Sequence, residues 1–394
     1  MIQIAILGFG VVGSGVAEVI RENDKELSEK LCGEHLNVKY ILDRRSFPEH
    51  ELGDRVTMDF DRILNDPEVV MVVETMGGSH PAYEFSKRAI LAGKNVVTSN
   101  KEVVANFGTE LLALARDNNV NYLFEASVGG GIPIIRPLWQ CLAANRITSI
   151  AGILNGTTNF ILTKMIEENM DFEQALKIAQ SLGYAEANPA ADVEGTDTCR
   201  KICILSSLAF GYQIRPEEVA CEGITHITIA DVEAAQSLGY AVKLLGRAEK
   251  TDAGVYIVTA PHLVSKGLLM AGVRDVYNAI TVCGNAVGDV LFYGRGAGKL
   301  PTASAVVADI VDIARECKKA ITWSVAEGGI VVDPKTYPCR FMLRTESEDL
   351  FNRFAPKHFF RDGKTAAFIT EPMSENELCE KCAGLPVLSK IRVL

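Results

Sequence analysis

The chain has 394 residues, 48% of them apolar and 23% charged, which suits two or three domains with sizeable cores and excludes wholesale disorder. A formal net charge of −10 argues against tracking a nucleic-acid backbone or an anionic membrane surface, since both favour clustered Lys and Arg. The longest uncharged stretch, Ile147 to Thr163, is interrupted by Asn155, Gly156, Thr157, Thr158 and Asn159, so nothing approaches the ~20 apolar residues of a membrane-spanning helix. The chain opens directly on MIQIAILGFG, without a basic n-region, an apolar h-region or a cleavage site, and a soluble cytoplasmic protein is expected.

Residues 2–7 (IQIAIL) read as a strand that ends on a glycine cluster, and an amphipathic pattern from Val11 to about Ile20 reads as the helix that follows. Further strands are predicted at VKYILD (38–43), VVMVVET (69–75), NVVTS (95–99) and NYLFEAS (121–127). Helices from Pro81 to Gly93 and from about Lys101 through Asn118 alternate with them. Short apolar runs alternating with helices predict a Rossmann-type, doubly wound parallel sheet over 1–130. GGGIPIIRPL then reads as a hinge, SIAGILN (149–155) as a buried strand, and Thr158–Asn169, 172–183 and Asp192–Gly211 as helices. VYIVTAP (255–261) and NAITVCG (278–284) are later strands, so 131–330 is expected to be an α+β domain for catalysis and dimerisation. Its helix TASAVVADIVDIAREC (302–317) is expected to pack back on the hinge and the first domain. Beyond Pro338 the order strand, helix, hairpin at Asp362-Gly363, helix, strand predicts a small ferredoxin-like β-α-β-β-α-β domain over 338–394. About 57 residues are few for an independent core, so this piece would gain by pairing with a second copy.

Gly8, Gly10, Gly13 and Gly15 form G-x-G-x-x-G-x-G between the first strand and the first helix, the context of a dinucleotide site. Gly8 allows the tight turn, Gly10 lets backbone approach a pyrophosphate, Gly13 lets helix and strand pack closely, and the helix N-terminus presents N–H groups to the phosphates. Asp43 ends the second strand 30 residues after Gly13, against the ~20 usual for the ribose-binding acid, an excess that a longer first helix and loop absorbs. Asp43 favours a free ribose 2′-hydroxyl and Arg44 with Arg45 a 2′-phosphate, so NAD and NADP both stay open. Thr75 and Lys101 stand at strand ends where ligands collect in such sheets. The densest polar segment, GYAEANPAADVEGTDTCRK (183–201), carries Glu186, Asp192, Asp197 and Lys201, the last two four apart and so on one helical face. A carboxylate–lysine pair where a helix enters a core can bind an ammonium and move a proton, although at this spacing a solvated surface pair is the commoner outcome. Glu125 before the run VGGGI offers one carboxylate and exposed carbonyls, which suits a hard, weakly held cation or simply a hinge. Capping alone would explain Thr157 or Thr158. Ten cysteines are too dilute for a disulfide scaffold, and buried free thiols are expected at Cys141, Cys203 and Cys283. Cys379 and Cys382 form a Cys-x-x-Cys pair without the further ligands of a zinc site or a thioredoxin-like context, and an incidental pair is expected.

Together, ILGFGVVGSG, ETMGG, TSNKEVVA, FEASVGGGIPI, GILNGTTNFIL, LGYAEANPAADVEGTDTCRK and GRGAGKLPTASAVVADI resemble the homoserine dehydrogenase family over residues 1 to about 330. The resemblance implies NAD(P)-dependent interconversion of L-homoserine and L-aspartate 4-semialdehyde in threonine, methionine and isoleucine synthesis. It implies that Gly10, Val11, Val12 and Gly13 touch the cofactor phosphates, with Thr75, Lys101, Gly183 and Gly298 lining that site. Glu186 and Asp197 would bind homoserine through its amino group, Asp192 would support them, and Lys201 would be the proton donor. Lys101 would assist in orientation or proton transfer. Glu125, with the carbonyls of Val128, Gly130 and Ile132, matches the family's sodium site, a structural brace outside the chemistry. Asn188 stands where many members have Asp and touches none of these roles. The tail is similar to an ACT regulatory domain, yet TESEDLFNRF replaces the usual acidic-x-Pro-Gly turn, so subunit contact is expected at least as much as effector binding. A homodimer or higher homo-oligomer is expected. The competing expectations are a dehydrogenase of another small amino-acid-derived substrate and a cofactor-sensing regulator without turnover.

Overall fold

Ile4, Ala5, Ile6 and Leu7 are fully buried in strand β1 (Ile2–Leu7), the pattern of a central parallel strand covered on both faces. The computed structural model describes residues 1–315 and 321–394. With β2 (Leu36–Leu42), β3 (Val56–Thr57), β4 (Val69–Glu74), β5 (Asn95–Thr98) and β6 (Tyr122–Leu123), β1 builds a parallel sheet in the order β3-β2-β1-β4-β5-β6. This is the doubly wound order, reversing between β1 and β4, so a ligand crevice opens beyond the carboxyl ends of those two strands. The glycine turn after β1 and Thr75 after β4 stand at that place. The helix Val11–Glu22 packs on the helix Lys299–Ala314, and Gly15 permits the approach: a Cβ there would lie 3.0 Å from the Lys299 carbonyl oxygen and 3.2 Å from the Ala303 Cβ. The helix expected over 302–317 therefore starts earlier, and its last two residues lie outside the described residues. The strand expected over 121–127 ends at Leu123, because Glu125–Ser127 turns into a short 3-10 helix.

The described residues form two units: Met1–Ala144 with Cys203–Arg215 and Gly294–Glu327, and Asn145–Ile202 with Pro216–Tyr293 and Gly328–Leu394. These do not follow the consecutive blocks 1–130, 131–330 and 338–394. The second unit is built on a ten-stranded sheet of β7 (Ile147–Ile153), β8 (Ala220–Cys221), β9 (Tyr240–Thr251), β10 (Gly254–Ser265), β11 (Tyr277–Gly284), β12 (Gly288–Arg295), β13 (Phe341–Thr345), β14 (Phe359–Asp362), β15 (Thr365–Ile369) and β16 (Ser389–Val393). Nine strands run β12-β11-β7-β9-β10-β16-β13-β15-β14, and β8 pairs with β10. The last four strands, with helices Glu348–Phe354 and Glu375–Cys382, follow the order β-α-β-β-α-β and join the rest through β16, which pairs in parallel with β10 at His262 and Leu263. A segment this short buries little apolar surface alone, and the pairing covers an edge it would otherwise expose.

The helix expected from Asp192 to Gly211 is two helices, Ala190–Val193 and Thr196–Phe210. Gly195 separates them at φ +86°, a left-handed conformation that ends the first turn and restarts the chain as a new helix N-terminus. The same glycine has neighbours too close for a larger residue, with the Thr259 Cγ2 and Cys221 Sγ 3.1 and 3.2 Å from where a Cβ would sit.

Candidate active site

Beyond β1 and β4 in the first unit lies a cavity of about 590 Å³ lined by Gly8, Gly10, Asp43, Arg44, Arg45 and Thr75 among others. Gly8 takes φ +87° in the turn, and a Cβ on Gly13 would fall 2.1 Å from the Gly8 carbonyl oxygen, so both positions require glycine. The Thr75 hydroxyl donates to the Gly8 carbonyl at 2.7 Å and ties the end of β4 to the turn. Asp43 Oδ2 accepts the Phe9 N–H at 2.8 Å, and the Arg45 guanidinium and N–H bond the carboxylate at 2.9–3.1 Å. Arg45 holds the Asp43 carboxyl well below the usual carboxylate range, so this corner carries a fixed negative charge already paired with one arginine while Arg44 lines the same space. Of the other residues expected at the cofactor, Val11 and Val12 open the first helix, Lys101 opens the helix Lys101–Asp117 behind its Asn100 cap, and Gly298 (φ +122°) precedes Lys299–Ala314. Gly183 (φ +74°) belongs to the second unit, after the helix Phe172–Ser181. None of these five lines the cavity.

Glu74, which sequence reasoning passed over, ends β4 fully buried. Its carboxylate accepts the Thr98 hydroxyl at 2.6 Å and the Met76 N–H at 2.7 Å, and the Thr98 oxygen in turn accepts the Asn100 N–H at 2.9 Å. The glutamate thereby links the loop after β4 to the helix start that carries Lys101. Its signal in the sequence is an acid closing an otherwise apolar strand. Burial pushes the Glu74 carboxyl up to about 7, against the pull of these hydrogen bonds. The folded state thus keeps a proton that the unfolded chain releases near pH 4.5, so the stability tied to this group is full below that pH and is lost as pH rises toward 7. Glu74→Gln removes this linkage. Between pH 5 and pH 8 its unfolding free energy, measured in denaturant, should fall by about 2–3 kcal/mol less than that of the unsubstituted chain; parallel pH curves would contradict the assignment.

The hinge carries a second buried acid. Glu125 accepts the N–H groups of Ile134 (2.6 Å), Ile135 (2.9 Å) and Arg136 (2.7 Å), which occupies its carboxylate with backbone donors. Its own N–H donates to Asp309 Oδ2 at 2.8 Å, and Arg136 pairs with Asp309 at 2.8 Å. Burial, and then the Glu125 charge, push Asp309 up to about 7. Gly129 and Gly130 take φ +76° and +53° here. Among the described residues no backbone N–H is donated to the carbonyls of Val128, Gly130 or Ile132, although all three residues are buried.

In the second unit the polar residues of 183–201 meet the strand–helix junction at Leu154–Gly156. Lys201 and Asp197 are both buried, one turn apart on the helix Thr196–Phe210. The Lys201 ammonium donates to Asp197 Oδ2 at 2.7 Å and to the Leu154 carbonyl at 2.8 Å. Asn155 caps the helix Gly156–Glu167 through Oδ1, which accepts the Thr158 N–H at 2.9 Å. Its Nδ2 donates to Asp192 Oδ1 at 2.6 Å and to Asp197 Oδ2 at 2.9 Å. Burial pushes the Asp192 carboxyl up; the Asn155 hydrogen bond opposes this, and the Asp197 charge adds to it. Thr157 donates to the Tyr184 carbonyl at 2.6 Å, so it holds the GYAE loop as well as opening a helix. Glu186 remains exposed and is not drawn into this cluster; its carbonyl accepts the Gln180 amide at 3.1 Å. Sequence reasoning assigns capping at this junction to Thr157 or Thr158, whereas Asn155 is the cap, and its reach to acids 37 and 42 residues away leaves no local signal.

The nine described cysteines are free thiols. Cys203 is buried as expected, but Cys141 is exposed and Cys283 only half-buried. Cys379 and Cys382 share one short helix, and among the described residues no group of three or more His, Cys, Asp or Glu side chains could hold a metal. No described helix is long and apolar enough to cross a membrane.

Two family models match this chain: homoserine dehydrogenase, NAD binding domain, over residues 8–125, and homoserine dehydrogenase over residues 133–311. A homoserine dehydrogenase of Bacillus subtilis is 41% identical over 389 residues, covering 98% of this chain and 88% of the relative. The crystal structure of a homoserine dehydrogenase from Thiobacillus denitrificans superposes with a TM-score of 0.92 at 36% identity, covering 100% of this chain and 98% of that one. A hyperthermophilic archaeal homoserine dehydrogenase in complex with NADPH gives a TM-score of 0.70 at 30% identity over 81% of this chain and 99% of its own. With the glycine turn, the strand-end cavity and the buried lysine–aspartate pair on the matched segments, the chain belongs to the homoserine dehydrogenase family of NAD(P)-dependent oxidoreductases acting on CH–OH groups.

Proposed function

We propose that this chain interconverts L-homoserine and L-aspartate 4-semialdehyde with NAD(P), and that Lys201 handles the proton. The observation that carries this reading is the buried Asp197–Lys201 pair framed by Asn155 and Asp192, on residues the homoserine dehydrogenase model covers. Bound NAD(P) supplies or accepts the hydride. Two of the three ammonium hydrogens of Lys201 are taken by Asp197 and Leu154, and the third is available to a substrate oxygen. In the reductive direction Lys201 gives a proton to the aldehyde oxygen; in the oxidative direction it takes one from the hydroxyl. Asp197 and Glu186 hold the substrate amino group, with Asp192 in support, and Lys101 orients the substrate or relays the proton. Gly8, Gly10, Val11, Val12 and Gly13 take the cofactor phosphates, Asp43 and Arg44 the adenosine ribose, and Thr75, Gly183 and Gly298 the rest of the cofactor surface.

A sodium ion would sit in the hinge at Glu125, held chiefly by the backbone carbonyls of Val128, Gly130 and Ile132. Val128, Gly130 and Ile132 are buried and among the described residues their carbonyls accept no backbone N–H, which is what such an ion satisfies, whereas the Glu125 carboxylate already accepts three N–H groups. The ion would brace the hinge and take no part in the chemistry. The assembly would be a homodimer or larger, with the 338–394 segment contributing to subunit contact; a monomer in light scattering at assay concentration would contradict this.

The test is absorbance at the reduced-nicotinamide band with L-homoserine, run separately with NAD and NADP. Turnover with either nucleotide is the expected result, and the faster one fixes the preference. Absence of turnover with both, while fluorescence shows bound cofactor, would overturn the substrate assignment.

A further inference from the structure

Asn155 contributes more than its cap requires. Its Oδ1 alone accepts the Thr158 N–H, yet both hydrogens of its Nδ2 are also engaged, on carboxylates from two different helices. The side chain is buried, and its acceptors lie 37 and 42 residues away in the chain. Two neighbouring carboxylates, Asp197 buried and Asp192 half-buried, repel each other, and here one neutral amide bridges them while the Lys201 ammonium hydrogen-bonds only Asp197 of the two. The neighbouring Leu154 carbonyl takes a second Lys201 hydrogen, so residues 154 and 155 fix the direction of the ammonium and the spacing of the acids from the same strand end.

We infer that Asn155 is a positioning residue: its amide sets the separation of Asp192 and Asp197 so that a substrate ammonium is received between fixed carboxylates and Lys201 keeps its aim. This rests on the reading of Asp197 as an acid that holds the substrate amine, with Asp192 in support. Aspartate and serine both serve as helix caps, and neither presents an amide to two carboxylates at once, so they separate capping from bridging.

The experiment compares Asn155→Ser and Asn155→Asp with the unsubstituted enzyme in homoserine oxidation, recording KM and kcat for homoserine, KM for the nucleotide, and the thermal midpoint. The expected result in both variants is a rise of about tenfold or more in homoserine KM, the scale of one hydrogen bond to a charged group. The nucleotide KM should stay within about twofold, and kcat should fall less than KM rises. A capping role alone leaves homoserine KM unchanged in both, and that outcome would overturn the inference. If Asn155→Ser loosens the fold, the near-isosteric Asn155→Asp decides, and loss of the folded state in both assigns Asn155 to stability and overturns it equally. Failure of the unsubstituted enzyme to oxidise homoserine is a separate result, which rejects the substrate reading itself.

Discussion

Lys201→Met should leave a folded protein that binds nicotinamide cofactor yet oxidises homoserine on the order of 10³-fold more slowly, within the range set by loss of a positioned proton donor. The ammonium is buried, is held by Asp197 at 2.7 Å and Leu154 at 2.8 Å, and has no neighbour of like chemistry among its described hydrogen-bond partners to replace it. Methionine fills a similar volume and donates nothing, so the loss should fall on kcat more than on KM. Asp197 keeps the Asn155 hydrogen bond, which limits the damage to the fold. Steady-state rates paired with cofactor fluorescence separate the two effects. An unchanged kcat with normal cofactor binding would remove Lys201 from the chemistry.

Glu125→Gln should cost stability more than any other single substitution considered above, on the order of 3–5 kcal/mol in denaturant unfolding. Three N–H groups converge on one buried carboxylate, and hydrogen bonds to a charged acceptor are each worth about 1.5–3 kcal/mol. Glutamine keeps one acceptor oxygen and turns an NH₂ group toward the remaining donors. Part of the loss is offset, since the Glu125 charge no longer raises Asp309. The penalty should be similar in sodium and potassium buffers, because the carboxylate serves backbone donors and not the cation. A loss seen only in sodium would instead make the carboxylate a ligand. The cation, if carried by carbonyls, shows itself differently: replacing sodium by choline should weaken the unsubstituted protein.

The contrast between Glu125 and Gly13 shows how far local pattern reaches. Gly13 is explained within its own strand–turn–helix, where the clash with the Gly8 carbonyl is a matter of a few residues. Glu125 beside VGGGI suggested a carboxylate ligand for a cation, whereas the chain turns residues 134–136 back so that their N–H groups claim it. Strand β9 went unread because its burial does not alternate; Lys243, buried with its ammonium on Asn159 at 3.0 Å, interrupts the apolar run that would have marked it. Strand β12, half-exposed along its length, lacked a clear period as well. The break at Gly195 was hidden because one glycine inside a helical pattern is tolerated more often than it is decisive.

What the chain determines by itself is whatever depends on residues close in sequence: the apolar strands of the parallel sheet, the glycine turn that follows the first of them, and the pairing of Asp197 with Lys201 one helical turn apart. The ordered motifs carried the family assignment for the same reason. Tertiary structure alone decided that Asn155 bridges Asp192 and Asp197, that Glu74 ties two strand ends together, and that the final β-α-β-β-α-β segment shares a sheet with β10. Each of these joins groups tens of residues or more apart, and a buried polar atom is satisfied by whichever partner the fold brings within about 3 Å, which no local pattern specifies.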